Sequence, residues 1–137
     1  MQEETISPEQ WAAICEALSA LPPNTRRKLI ELVLEEAYAV KDVAELMSVS
    51  PSAVSRYIHG TLVPGTGALC RLVMNAQPEL RDKLLALVAK TTWNLTYNVL
   101  KNIAAHDYAS TVIEEIADEI SRLLETIKEK HSPRKQA

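Results

Sequence analysis

"VKDVAELMSVSPSAVSRYIHG", Val40 to Gly60, is the stretch whose reading decides the fold. Val43, Ala44 and Met47 lie one turn apart, so they share the inner face of a first short helix. Ala44 is small, which lets another helix cross closely over it. Ser48-Val49-Ser50 reads as the turn, with Val49 directed back into the core. Ser50 is a natural N-cap and Pro51 suits the first helical position. The second helix then runs to His59, where Gly60 can take the left-handed conformation that ends it. On that helix Val54, Tyr57 and Ile58 cluster on one side and belong to a core. Ser52, Ser55, Arg56 and His59 cluster on the other, a short polar face free of acids.

Working outward, the helical pattern continues in both directions. Upstream, Ser7, Pro8 and Gln10 form a capping-box signature, followed by Trp11, Ile14, Cys15 and Leu18 at helical spacing. "LPPN" stops this helix, and Asn24 is expected to cap the next. That one carries Leu29, Ile30, Val33, Leu34 and Ala37 on one face. Downstream, "GTLVPGTG" is a loop and "ALCRLVMNA" another amphipathic helix. Pro78 opens a helix with Leu80, Leu84, Leu87 and Val88. A separate, less regular helix is expected from about Thr92 to Ala105, with Trp93 and Tyr97 as core aromatics or, alternatively, as the lining of a ligand pocket. The last helix, about Tyr108 to Lys130, has Val112, Ile113, Ile116, Ile120, Leu123, Leu124 and Ile127 on one stripe. The closing "HSPRKQA" reads as frayed and basic. No run has a convincing strand period.

Composition bounds the function classes. The chain has 137 residues, 47% hydrophobic and 24% charged, with 3 Gly and no Phe. That is a helix-favouring globular composition, with no apolar run of the roughly 18 residues that span a membrane. No basic signal segment opens it, which points to the cytoplasm. Cys15 and Cys70, far apart and each at an apolar helical place, read as two reduced buried thiols, consistent with that compartment. The three histidines form no metal-ligand spacing, and no Ser/His/Asp set, carboxylate pair or phosphate loop stands out. The expectation is therefore no enzyme, no metal and no cofactor. Net charge is −3, and the middle third, 40–76, is the only one with a positive balance, three bases to two acids.

At the opening stretch a family likeness enters. It resembles the helix-turn-helix of the Cro/phage-repressor class of transcription regulators. The apolar positions of that pattern are filled by Val43, Met47, Val49, Val54 and Tyr57, with Ala44 at its alanine. "SRYIHGTLVPG" resembles the way such proteins leave the recognition helix. Val40 stands where Gln is frequent, and Ser48 where Gly is frequent. The likeness covers about 65 residues and implies five helices, over 25–38, 40–47, 51–59, 66–76 and 78–90. The expected fold is all-α: a five-helix repressor-like core, an extra N-terminal helix and a C-terminal helical extension. The expected domains are 1–90 for DNA binding and 91–137 for dimerisation or regulation.

The resemblance implies base contacts from Ser52, Ser55 and Arg56, and backbone contacts near Lys41, Ser50 and Thr61. Arg can bond guanine bidentately in the major groove, and an acid on this face would be repelled by phosphate. His59 either touches the groove or caps its own helix. Arg26, Arg27 and Lys28 lie in the first turn of a helix, where the dipole disfavours cations. They are either phosphate contacts or a solvated run paired with nearby Glu. The implied partner is double-stranded DNA, read as a palindromic operator by a homodimer. Ile113, Ile116, Ile120, Leu123 and Ile127 step by three and four, as in a short coiled-coil seam, and are the expected dimer interface. The alternatives are that this stripe packs within its own chain, and that the helices form a protein-binding adaptor with no DNA partner. The sequence names no effector.

Overall fold

The computed structural model describes residues 5–36 and 38–131. Among these the fold is all-α, with helices α1 (Pro8–Ser19), α2 (Pro23–Glu35), α3 (Val40–Met47), α4 (Pro51–His59), α5 (Thr66–Asn75), α6 (Pro78–Ile103) and α7 (Asp107–Lys130). Ala37 and residues 132–137, part of the closing "HSPRKQA", lie outside the described residues. The chain divides into two compact units, Met1–Trp93 and Asn94–Ala137.

Local chemistry sets the helix starts. Ser7 Oγ accepts from Gln10 N–H at 3.1 Å and Gln10 Oε1 accepts from Ser7 N–H at 2.8 Å, closing the capping box of α1. Helix α2 begins at Pro23 without a side-chain cap, so Asn24 is already inside it. Pro22 and Pro23 explain this: Pro23 has no N–H to satisfy, and the Pro22 carbonyl accepts from Thr25 and Arg26. The expected break near residue 91 is also absent, because α6 is continuous. No Gly or Pro interrupts 79–103, and the Thr92 hydroxyl folds back on the Val88 carbonyl at 2.8 Å.

The first unit owns the core. Leu18, Leu29, Ile30, Met47, Leu69, Leu72 and Leu84 are fully buried, joined by Val33, Val43, Val54 and Val73. Burying each such side chain contributes about 1.5–3 kcal/mol. Ala44 is buried under this packing, as its size allows.

The cysteine expectation is overturned. Cys15 on α1 and Cys70 on α5 form a disulfide, with Cα atoms 5.3 Å apart and a sequence separation of 55. Apolar spacing signals burial for each cysteine but not pairing, whereas α1 packs on α5 and the two positions meet there. The covalent loop so closed encloses α2, α3 and α4. The cysteines therefore no longer speak for a reducing compartment. No described helix is long and apolar enough to cross a membrane.

In the second unit, Ala109 is the single buried residue among the described side chains. Ile113, Ile116 and Ile120 are half-buried, while Val112, Leu123, Leu124 and Ile127 are exposed. The aromatic expectation also fails: Trp93 at 45% and Tyr97 at 50% exposure are not core residues.

Candidate nucleic-acid interface

Helix α4 is fixed at both ends. Ser50 Oγ accepts from Ala53 N–H at 3.1 Å. At the other end Gly60 has φ 78°, and Thr61 donates to the Arg56 carbonyl from both its N–H, at 3.0 Å, and its hydroxyl, at 3.3 Å. Glycine is needed there for conformation; a Cβ would also come within 3.1 Å of Arg27 Nη1, the mobile end of an exposed side chain that can give way by a few tenths of an ångström. Arg27 thus brings positive charge to the C-terminal end of α4, where the helix dipole favours it.

The turn before α4 is held from α5, which the sequence reading missed. Arg71 Nε donates to the Met47 carbonyl at 2.7 Å and Asn75 Nδ2 to the Leu46 carbonyl at 2.9 Å. These are last-turn carbonyls of α3 that have no partner within their own helix. Ser48 takes the left-handed conformation, φ 57° and ψ 46°, that a glycine would adopt without strain. Arg71 sits on α5 at helical spacing from Asn75, the one signal that could have marked the pair.

The outer face of α4 holds the expected groups. Ser52, Arg56 and His59 are exposed and Ser55 is half-buried. Ser52 Oγ lies 3.1 Å from Ser50 Oγ, so the two hydroxyls share a hydrogen bond next to the cap. Arg56 has no hydrogen bond or ion pair from its guanidinium among the described residues. His59 caps its own helix: Nδ1 lies 2.7 Å from the Ser55 carbonyl and donates to it, which leaves Nε2 as the outward nitrogen.

The basic run at the start of α2 splits. Arg26 leaves the candidate phosphate set, because its guanidinium is committed to three carbonyls. Nε bonds Leu21 at 2.8 Å, Nη1 bonds Pro64 at 2.9 Å and Nη2 bonds Ser19 at 2.8 Å. It ties the end of α1 to the loop before α5. Arg27 pairs with Glu31 at 3.5 Å, and both side chains remain well exposed. Lys28 and Lys41 are exposed, with no ion pair among the described residues.

Two acids of this unit are engaged within the chain. Asp42 Oδ2 accepts from Ala39 N–H at 2.8 Å at the start of α3. Glu36 bonds Lys83, and that hydrogen bond and charge, with a smaller contribution from Glu79, raise the Lys83 pKa above its ordinary value. Among the described residues no group of His, Cys, Asp and Glu is placed to hold a metal ion. No protein-family model, curated protein or solved structure matches the chain.

Proposed function

We propose that this chain binds double-stranded DNA sequence-specifically, as a transcription regulator with a repressor-like helix-turn-helix in α3 and α4. Residues 51–59 are the recognition helix in the major groove. The observation that carries the reading is the acid-free outer face of α4, with an unpaired, exposed Arg56 on a helix fixed at both ends. Ser52, Ser55 and Arg56 address base edges, with His59 offering Nε2. Lys41, Ser50, Thr61, Arg27 and Lys28 serve the backbone.

So few cations neutralise few phosphates, so one copy binds weakly and with a steep loss on adding salt. Two copies in a homodimer double the contacts and read a palindrome whose half-sites lie about 34 Å apart. The dimer forms through the exposed stripe of α7.

The test is selection of bound duplexes from a random pool, followed by titration across a salt series. Arg56→Ala should weaken the selected site by roughly tenfold or more, about 1–3 kcal/mol, and relax the preference at one base pair. No binding by the wild-type chain at low salt would sink the proposal. One observation favours a second reading, the adaptor: Leu62 and Val63 stand exposed directly after α4, at 40% and 51%. If the wild-type chain binds no duplex and Leu62→Ser/Val63→Ser abolishes a protein contact, the adaptor reading takes its place.

A further inference from the structure

We infer that His59 selects a base by its exocyclic amine, adenine N6 or cytosine N4, and that protonation of its ring reverses the choice. This rests on the DNA-binding reading above and adds the class of base at one position of the site.

The ring's own hydrogen is the first ground. Nδ1 lies 2.7 Å from the Ser55 carbonyl. A carbonyl oxygen only accepts, so Nδ1 carries the hydrogen in the neutral ring and in the cation alike. Nε2 is the nitrogen that changes. In the neutral ring it is a bare acceptor, and in the cation it is a donor. The Nδ1 bond holds the ring, and the Thr61 bonds to the Arg56 carbonyl hold the helix end that carries it. The residue is exposed, and no other hydrogen bond or ion pair engages its imidazole.

Position is the second ground. At about 100° per residue, His59 falls between Ser55 and Arg56 on the outer arc of α4, about 20° from Ser52. It stands three residues beyond Arg56, about 4.5 Å along the axis. Successive base pairs are about 3.4 Å apart. A helix that sets Arg56 on one base pair therefore sets His59 on the next. In the major groove each pair presents an amine beside an acceptor: adenine N6 beside thymine O4, cytosine N4 beside guanine O6. A bare Nε2 tells one orientation of the pair from the other, and a protonated Nε2 prefers the opposite one.

The surrounding charges do not settle the ring in one form. Helix α4 packs against α2 and α3. Helix α2 carries Arg26, Arg27, Lys28, Glu31 and Glu35, of which Arg27, paired with Glu31, reaches the Gly60 end. Helix α3 carries Lys41, Asp42 and Glu45, and Asp42 is bonded to Ala39 N–H. Arg56 stands one turn earlier on α4, and 61–70 carries no charged residue. None of these carboxylates bonds or pairs with His59, so no acid of the described chain makes Nε2 a donor.

The experiment uses the full chain. A long-range proton–nitrogen spectrum at about pH 8, with His59 assigned by its loss in His59→Gln, should show Nδ1 protonated and Nε2 bare. Nε2 protonated in place of Nδ1 would overturn the inference without touching the DNA reading. Duplexes are then selected from a random pool at about pH 8 and about pH 5.5, the span in which an imidazole titrates. At the pair beside the Arg56 guanine the favoured orientation should reverse, by about fivefold in affinity each way, the worth of one hydrogen bond. His59→Gln should abolish the reversal, and His59→Ala the preference as well, while His106 and His131 remain to titrate in both variants. The same orientation at both pH values, or a reversal that survives His59→Gln, would overturn the inference and leave the DNA reading standing. No duplex bound at either pH would remove that reading, and the inference with it.

Discussion

The two units of this chain use the same kind of amphipathic helix to opposite ends. In Met1–Trp93 the apolar faces of α2, α3, α4 and α5 end in fully buried side chains such as Leu29, Met47, Val54 and Leu72. In Asn94–Ala137 helix α7 has an equally regular stripe, yet Leu123, Leu124 and Ile127 remain about half exposed. The periodicity is alike, and what differs is whether the chain supplies a facing surface. An apolar stripe is therefore a statement about a need for burial, not about where the partner lies. The first unit satisfies that need by itself, and under the dimer proposal the second meets it with another copy.

The contrast can be broken by cutting the covalent tie of the first unit. The Cys15–Cys70 bond closes a loop spanning 55 positions. Loop-closure entropy sets its worth at roughly 4 kcal/mol, and native disulfides usually deliver about 2–4. Cys15→Ser/Cys70→Ser, or reduction with dithiothreitol, should lower the unfolding free energy by about that much in a denaturant titration. An unchanged midpoint would mean that α1 docks on α5 without needing the bond. The sedimentation behaviour should not change, because the bond lies wholly in the first unit.

A matched pair of truncations tests the contrast more directly. Leu72→Ala opens a cavity in a fully buried place and should cost about 2–5 kcal/mol at every protein concentration. Leu123→Ala removes a side chain that is 57% exposed in one copy. It should leave the unfolding of the first unit unchanged and weaken the dimer, with the loss visible only as a concentration dependence. Equal, concentration-independent effects from both would erase the distinction between the units.

How far the sequence could be read follows the same division. The limits of α3 and α4 were legible because Ser50, Pro51 and Gly60 act on their own neighbours, and caps are local chemistry. The inner face of Val43, Ala44, Met47, Val54 and Tyr57 was legible from spacing. What escaped depends on elements far apart in the chain. Arg26 looked like one of three surface cations, yet its partners are the carbonyls of Ser19, Leu21 and Pro64. Arg71 and Asn75 share one face of α5 by their spacing, but that spacing does not say that the end of α3 lies opposite them. Cys15 and Cys70 were each read alone, because nothing in a single helix says that two helices cross at those residues. Trp93 and Tyr97 were placed in a core by type, and their exposure shows that aromatic spacing needs a facing surface too. In the candidate interface the polar face was legible as composition, but not the bond that turns His59 back on Ser55.

The smallest expected effect sharpens the comparison within the motif itself. Its two left-handed residues are Ser48 at φ 57° and Gly60 at φ 78°. A side chain in this region costs about 1–2 kcal/mol through the clash of Cβ with the following carbonyl. Ser48→Gly removes that clash but gives the unfolded chain more freedom, a loss of about 0.4–1 kcal/mol. The net expectation is a stabilisation of roughly 0.5 kcal/mol, read as a higher denaturation midpoint with an unchanged slope. Gly60→Ala should run the other way, because it puts a Cβ at φ 78° where the native residue has none. Both sites lie in the first unit, so both shifts should be independent of concentration. If Ser48→Gly were destabilising, the Ser48 side chain would have to contribute more than the strain it imposes. The turn would then depend on that serine, and the Arg71 and Asn75 bonds to the end of α3 would not be enough to hold it.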